Sequence, residues 1–317
     1  MPNLRRSMRV AAALLLIAEG ALADEGGVSF WLPGNFGSMA AVPTDPGWSL
    51  PLIYYHSSGD QNASKRFIRG GRITSGLDAR ADLVFAIPTY TFTEKIAGGQ
   101  AAVSMGAAYG RVKADIGATL ARPNGAALSG SESDARNGVS DLYPTATLKW
   151  NHGVHNTMVY VAAGIPTGTY DKSRLANIGT NHWAFDGGGG YTYLDQKSGR
   201  EFSVVGGLTY NLENPDTQYR NGTSLHIDWA ASQFFSESFH TGLVGYYYDQ
   251  LTGDSGAGAR LGDFKSRVAG IGPQAGWFFK NKWYLNIKAY WEFAAQNRPE
   301  GWNVWLTLAI PLSESKP

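Results

Sequence analysis

Strand-like segments in this chain are joined by connections that alternate between long and short. About twelve segments of roughly 9–16 residues carry alternating apolar and polar side chains. The connections that open around Ser58, Asp115, Gly168, Glu213, Thr252 and Ala295 read as long and polar. Those at 151–154, 195–200, 236–238 and 280–282 are little more than turns, and one near 91–99 is intermediate. An antiparallel barrel spanning an outer membrane shows this asymmetry, with short turns on one side and longer loops on the other. A soluble β-sandwich has no reason to sort its loops by parity. The expected fold is therefore all-β, a transmembrane antiparallel β-barrel of about twelve strands.

Composition agrees. Residues 1–23 read as a signal peptide: Arg5, Arg6 and Arg9 give a basic start, residues 10–18 an apolar middle, and Ala21-Leu22-Ala23 a small-residue cleavage site. The apolar run is too short to cross a bilayer. Removing the leader takes three of 27 basic and one of 26 acidic residues, leaving 24 against 25. No basic excess points to nucleic acid. Charged residues are only 17% of the chain, while 10 Trp, 16 Tyr, 14 Phe and 40 Gly suit a protein whose outside meets lipid. There is no cysteine, which removes disulfides and thiolate metal sites. After the leader no window approaches eighteen consecutive apolar residues, which excludes helical spans.

Alternation assigns faces, since successive side chains point to opposite sides of a sheet. Trp283, Leu285, Ile287, Ala289, Trp291 and Phe293 form an apolar row, with Tyr284, Asn286, Lys288, Tyr290 and Glu292 opposite. A charge facing lipid near the midplane costs about 2–4 kcal/mol, so the apolar row is expected outward. By the same rule Trp302, Val304, Leu306, Leu308 and Ile310 face outward. So do Leu225, Ile227, Trp229 and Ala231, with His226 and Asp228 inward. Leu77, Ala79, Ala81, Leu83, Phe85 and Ile87 are likewise expected outward, with Asp78, Arg80 and Asp82 inward. The expected lumen network is thus Asp78, Arg80, Asp82, His226, Asp228, Lys288 and Glu292, with Lys149 nearby. Aromatic residues flank two short turns, Trp277–Phe279 with Trp283 and Tyr284, and Phe234, Phe235 and Phe239, as an interfacial girdle would. A soluble barrel with these rings in its core explains the alternation but not the loop parity.

Motifs for chemistry are weak. Gly253-Asp254-Ser255-Gly256 copies the residues around a serine-protease nucleophile, but none of the six histidines sits in a partner motif. A lipase with a lipid-facing Ser–His pair finds no such pair on the apolar faces. His152 and His155 bracket a short turn, so their rings need not converge on a metal. Asp254 and Asp263 fit no calcium loop. No catalytic residue, metal site or cofactor is expected. Gly187–Gly190 falls inside a strand, where glycine permits curvature or the close approach of another segment.

Several stretches carry a family resemblance: Ser140-Asp141-Leu142-Tyr143-Pro144, residues 150–156, Ile165-Pro166-Thr167-Gly168 with Tyr170-Asp171, and residues 174–179. Residues 214–219, 250–256 and 262–267 continue it, as do Leu32-Pro33-Gly34 and Ala41-Val42-Pro43 near the start. The chain resembles the bacterial outer-membrane family named for the meta-pathway of phenol degradation. That resemblance implies location in the outer membrane of a Gram-negative bacterium and a link to aromatic catabolism. It supplies no catalytic motif. The chain departs from many such barrels by ending on residues 311–317 rather than on a terminal aromatic read by the insertion machinery, leaving the strand at 302–310 to serve.

The division expected is a leader (1–23), an N-terminal plug or periplasmic arm (24–48) and the barrel (49–317). Residues 24–48 are too apolar for an idle tail and too rich in Gly and Pro for helix or strand. Phe30, Trp31, Leu32 and Phe36 are the candidate ligand and gate residues. The expected activity is passive uptake of small hydrophobic or aromatic compounds. The alternatives are a closed barrel whose loops at 114–138 and 167–181 bind surface partners, and a general hydrophilic porin. Expected partners are membrane lipid and lipopolysaccharide, a small hydrophobic or aromatic ligand, and the outer-membrane assembly machinery.

Overall fold

A computed structural model describes residues 30–60, 66–69, 72–75, 77–121, 127–259 and 265–313. The expected leader and residues 24–29 lie outside them. The first half of the chain forms β1 (Gly47–Asp60), a small hairpin of β2 (Arg66–Arg69) and β3 (Arg72–Ser75), then β4 (Leu77–Ala86), β5 (Thr89–Ile96), β6 (Gly99–Ala121), β7 (Ala127–Val139) and β8 (Tyr143–His152). The second half forms β9 (His155–Gly164), β10 (Ala184–Asp195), β11 (Arg200–Asn211), β12 (Ser224–Ser236), β13 (Phe239–Gln250), β14 (Arg267–Phe278), β15 (Tyr284–Gln296) and β16 (Glu300–Pro311).

These elements make twelve barrel strands. β4 and β5 are one strand interrupted at Ile87-Pro88, since both pair with β1 on one side and β6 on the other. Proline has no N–H for the ladder, yet Ile87 N still donates to Pro51 O at 3.0 Å and Met105 N to Pro88 O at 3.1 Å. β7 and β8 form a second interrupted strand along β6. At that break Ala108 N donates to the Ser140 hydroxyl at 2.8 Å. Antiparallel pairing of β16 with β1 closes the sheet, so no edge is left exposed to lipid.

Loop parity is clearer in the structure than in the sequence at one end and less clear at the other. The end holding Gly47 and Pro311 carries turns at 97–98, 153–154, 196–199, 237–238 and 279–283. The connection read as intermediate is therefore a two-residue turn. The opposite end carries the connections 165–183 and 212–223, together with the described residues 251–259 and 265–266 between β13 and β14. Two expectations are corrected there. The connection near Ala295 is three residues, 297–299, because β15 keeps pairing as far as Gln296. The segment opening at Asp115 is strand: β6 and β7 stay in register out to Ala121 and Ala127.

Outward side chains form an apolar belt that includes Val159, Val161, Leu208, Leu243 and Ile271. A Val159→Lys change, at mid-height of β9, is expected to destabilise the barrel by about 2–4 kcal/mol. Arg80→Leu should stay within about 0.5 kcal/mol. Equilibrium unfolding from phospholipid bilayers measures both.

Candidate functional site in the barrel interior

Residues 30–46 run along the inward faces of the strands, and the wall holds them mainly by their backbone. Gly34 N and Phe36 N donate to the two carboxylate oxygens of Asp228 at 2.9 and 3.0 Å. From the other side Lys288 Nζ donates to the carbonyls of Gly34, Asn35 and Phe36 at 2.6, 3.0 and 3.2 Å. Further along, Glu201 accepts from Met39 N at 3.0 Å and from the Ser38 hydroxyl at 2.7 Å. Thr192 accepts from Ala41 N at 3.0 Å, and Lys149 Nζ donates to Val42 O at 3.3 Å. A buried charge must find hydrogen-bonding partners; here the partners are peptide groups of this segment.

Trp31, only 6% exposed, lies flat on His226, with ring centroids 3.5 Å apart and planes inclined by 17°. His226 Nε2 lies 2.9 Å from Asp186, whose other oxygen accepts from the Tyr160 hydroxyl at 2.7 Å. Strand glycines make the room: a Cβ on Gly207 would sit 2.8 Å from the His226 ring, and one on Gly188 2.9 Å from the Tyr160 ring. Glycines of β10 and β11 thus permit close approach of side chains on β9 and β12.

A cavity of about 120 Å³ lies beside the segment. Phe30, Trp31 and Leu32 form one side, while Ile53, Phe85, Ile87, Tyr143 and Trp305 supply most of the opposite wall. Asn35 and Thr145 are its polar side chains. Phe36 is not on it; its ring packs against Trp31 and Tyr160 at 5.8 and 5.6 Å between centroids.

The seven charged residues read as one network fall into three places. His226, Asp228 and Lys288 meet the N-terminal segment. Glu292 faces inward but belongs to a separate chain, accepting from Tyr246 at 2.9 Å, Arg298 at 3.3 Å and Gly301 N at 3.0 Å. Asp78, Arg80 and Asp82 face outward, and Leu77, Ala81, Leu83 and Phe85 are buried inside, the reverse of the sequence expectation. The cause is an apolar filling within the barrel: Leu175, Ala176 and Ile178 from the 165–183 connection pack with Leu77, Leu83 and Val112.

That connection folds inward rather than standing free. Asp141 accepts from Gly168 N at 2.8 Å and from Thr180 N and its hydroxyl at 2.9 and 2.7 Å. Arg174 pairs with Asp134, and Asn177 accepts from Arg136 at 3.2 Å. At its exposed tip the hydroxyl and amide of Ser173 hold the Asp171 carboxyl below its ordinary pKa. The Gly253–Gly256 motif is a loop tie: Asp254 accepts from Gly222 N at 3.1 Å and Gln250 at 2.6 Å, and from Tyr219. His155 bonds the Tyr191 hydroxyl at 2.7 Å on the outer surface, away from the lumen. Among the described residues no three His, Asp or Glu side chains converge as a metal site.

Sequence reasoning missed Asp186, Glu201, Tyr160 and the cavity wall. Glu201 was legible, since Glu201, Ser203 and Thr209 alternate with Phe202, Val204 and Leu208. Tyr160 was not, because its neighbours Val159 and Val161 are as apolar as it is.

Residues 58–308 match the family model described as "Putative MetA-pathway of phenol degradation". The chain belongs to this family. Among solved structures its fold is similar to an outer-membrane channel from Pseudomonas putida F1, with 16% identity and a TM-score of 0.68 over 88% of this chain and 99% of that one. It is also similar to the beta domain of a Bordetella autotransporter, with 9% identity and a TM-score of 0.50 over 83% and 99%. A Pseudomonas aeruginosa FadL homologue aligns at 8% identity and a TM-score of 0.45 over 93% and 100%. No curated protein matches the sequence. At these identities the likenesses concern fold: the family member is a barrel of the outer-membrane class.

Gly34 has a φ of +87°, and a Cβ there would lie 2.9 Å from the Tyr290 ring. Gly34→Ala is therefore expected to loosen the segment by about 1–3 kcal/mol. Hydrogen exchange should speed by roughly tenfold or more at the Phe36 and Met39 amides, and remain unchanged in β11–β14.

Proposed function

We propose that this barrel lets small hydrophobic compounds, aromatic ones in particular, cross the outer membrane passively, and that residues 24–48 supply a displaceable plug. The observation that carries the reading is the way Asp228 and Lys288 spend their hydrogen bonds on peptide groups of residues 34–36, with Glu201 adding bonds from the Met39 amide and the Ser38 hydroxyl. Every one of those bonds is replaceable by water. Withdrawal of the segment would leave hydrated charges lining a passage instead of an empty apolar hole.

The cavity supports the choice of cargo. Its aromatic and aliphatic lining suits an apolar guest, and about 120 Å³ compares with the ~150 Å³ of an apolar cavity that admits benzene. Phe30, Trp31 and Leu32 touch the guest in this reading, Phe36 backs Trp31, and Asn35 and Thr145 meet a single polar substituent. The family's description, which refers to phenol degradation, favours the same class. A hydrophilic porin is disfavoured by the filled interior, and a loop-displaying barrel by the buried residues 175–178.

Single-channel recording tests the plug. The full-length protein should be closed or nearly so, and a variant lacking residues 24–43 should conduct steadily with its barrel intact. Silence from both folded proteins would instead indicate a closed barrel without transport. The cavity has its own test: Ala162→Leu should lower uptake of single-ring aromatic compounds by roughly tenfold, the equivalent of about 1.4 kcal/mol. Ion conductance of the truncated protein should not change.

A further inference from the structure

Three of the charges expected in the lumen, Asp78, Arg80 and Asp82, stand on the outer wall, in ordered rows across three strands. Tyr54, Val84 and Tyr109 are directly paired in register and face outward. The next outward row toward the long-loop end is His56, Asp82 and Arg111; the one after it is Ser58, Arg80 and Lys113; then come Asp60, Asp78 and Asp115. Each row lies about 7 Å along the strands from the last. Trp302 on β16, the register partner of Ser58, faces outward with its ring 4.8 Å from that of His56.

The Tyr54–Tyr109 row marks where lipid-facing apolar residues give way to charge, as interfacial aromatics do in membrane barrels. The headgroup zone is only about 5–8 Å deep on each side of the hydrocarbon. Strands tilted by about 35–45° put Arg111 roughly 5–6 Å above that boundary, at headgroup height, and Arg80 and Lys113 roughly 10–11 Å above it, just past the zone, on the side carrying the long loops, which is the cell exterior in such barrels. The outer leaflet there is lipopolysaccharide, whose headgroup carries phosphates.

The local pairing leaves donors for an anion. Asp82, directly opposite Arg111, is engaged by the Tyr54 hydroxyl at 2.8 Å and by His56 at 2.7 Å. Among the described residues no carboxylate forms an ion pair with Arg111. Arg80 reaches Asp78 only at 3.4 Å and its side chain is 56% exposed. Lys113 pairs with Asp115 at 2.7 Å while remaining 42% exposed. A guanidinium carries five N–H donors in a fixed fork and an ammonium three, so each can also meet a phosphate oxygen.

We propose that Arg111, Arg80 and Lys113, on the outer wall formed by β4 and β6, bind the phosphates of the lipopolysaccharide headgroup. The site fixes the depth of the barrel in the outer leaflet. The proposal is independent of transport and of the plug.

The test is thermal unfolding of the folded full-length barrel in neutral detergent. The additions are lipid A, lipid A stripped of its phosphates, or inorganic phosphate. Lipid A should raise the Tm of the wild type, and the shift should shrink as salt screens the exposed charges. The triple variant Arg80→Gln, Arg111→Gln, Lys113→Gln should lose most of that shift, with apparent binding weakened roughly tenfold or more. Lys280→Gln with Lys282→Gln, at the opposite rim, should keep it. Should the triple variant fold poorly, Arg111→Gln alone serves, because no ion pair is removed; it should give a smaller shift than wild type. An undiminished shift in the basic-row variants would overturn the proposal. So would an equal response to dephosphorylated lipid A, or to inorganic phosphate alone.

Discussion

Lys288 and Asp228 meet one tight turn of the chain from opposite sides, and the order of the barrel interior depends on that meeting. The ammonium's three bonds go to consecutive carbonyls, at Gly34, Asn35 and Phe36, while the carboxylate takes the amides of Gly34 and Phe36. Neither charge is tolerable in a dry interior without such partners. The turn in turn needs Gly34, because Tyr290 and Tyr246 close over the place a side chain would occupy. With the turn fixed, Trp31 falls onto His226, Phe36 onto Tyr160, and Ser38 between Glu201 and Gln274. The cavity is what remains between this segment and the wall of β1, β4, β8 and β16.

The interior is accordingly divided by height. Toward the long loops it is an apolar core built from β4, β6 and the inward-folded 165–183 connection. At the level of the turn it is polar and charged. This division explains why the reading of β4 failed while that of β12, β15 and β16 gave the observed faces. Alternation shows that two rows differ, and the choice of which faces lipid assumed a polar lumen and an apolar exterior throughout. That assumption fails for Phe85 and Ile87, which line the interior cavity, and for residues 77–83, where the wall rises above the hydrocarbon. There water and headgroups replace lipid outside, and a folded loop replaces water inside. Nothing local in residues 77–87 records that height; it is set by pairing with Tyr54 and Tyr109 far along the chain.

The fold itself was legible because membrane barrels obey two strong rules, period-two alternation and loops sorted by side. What blurred the count of loops was strand length: β6 runs well past the ~9–11 residues a crossing needs, so a polar stretch that looked like a loop is hydrogen-bonded wall. The apolar, Gly- and Pro-rich character of residues 24–48 marked them as the segment to watch, and Phe30, Trp31 and Leu32 do line the cavity. Their partners were only half visible. Asp228 and Lys288 stand out as charges on otherwise regular strands, whereas Tyr160, Asp186 and Trp305 become meaningful only once distant strands bring them together.

If residues 30–46 must move for anything to pass, a reversible tether on them controls flux. Ser38 and Ser232 have their hydroxyl oxygens 2.7 Å apart, and the chain contains no cysteine of its own. Ser38→Cys with Ser232→Cys therefore places one engineered disulfide between the segment and β12, subject to ordinary disulfide geometry. Uptake of a single-ring aromatic compound into proteoliposomes is measured before and after reduction. The oxidised protein should show no flux, with recovery to the level of the untethered barrel on reduction. Equal flux in both states would contradict that requirement, since a fixed segment would then be no obstacle.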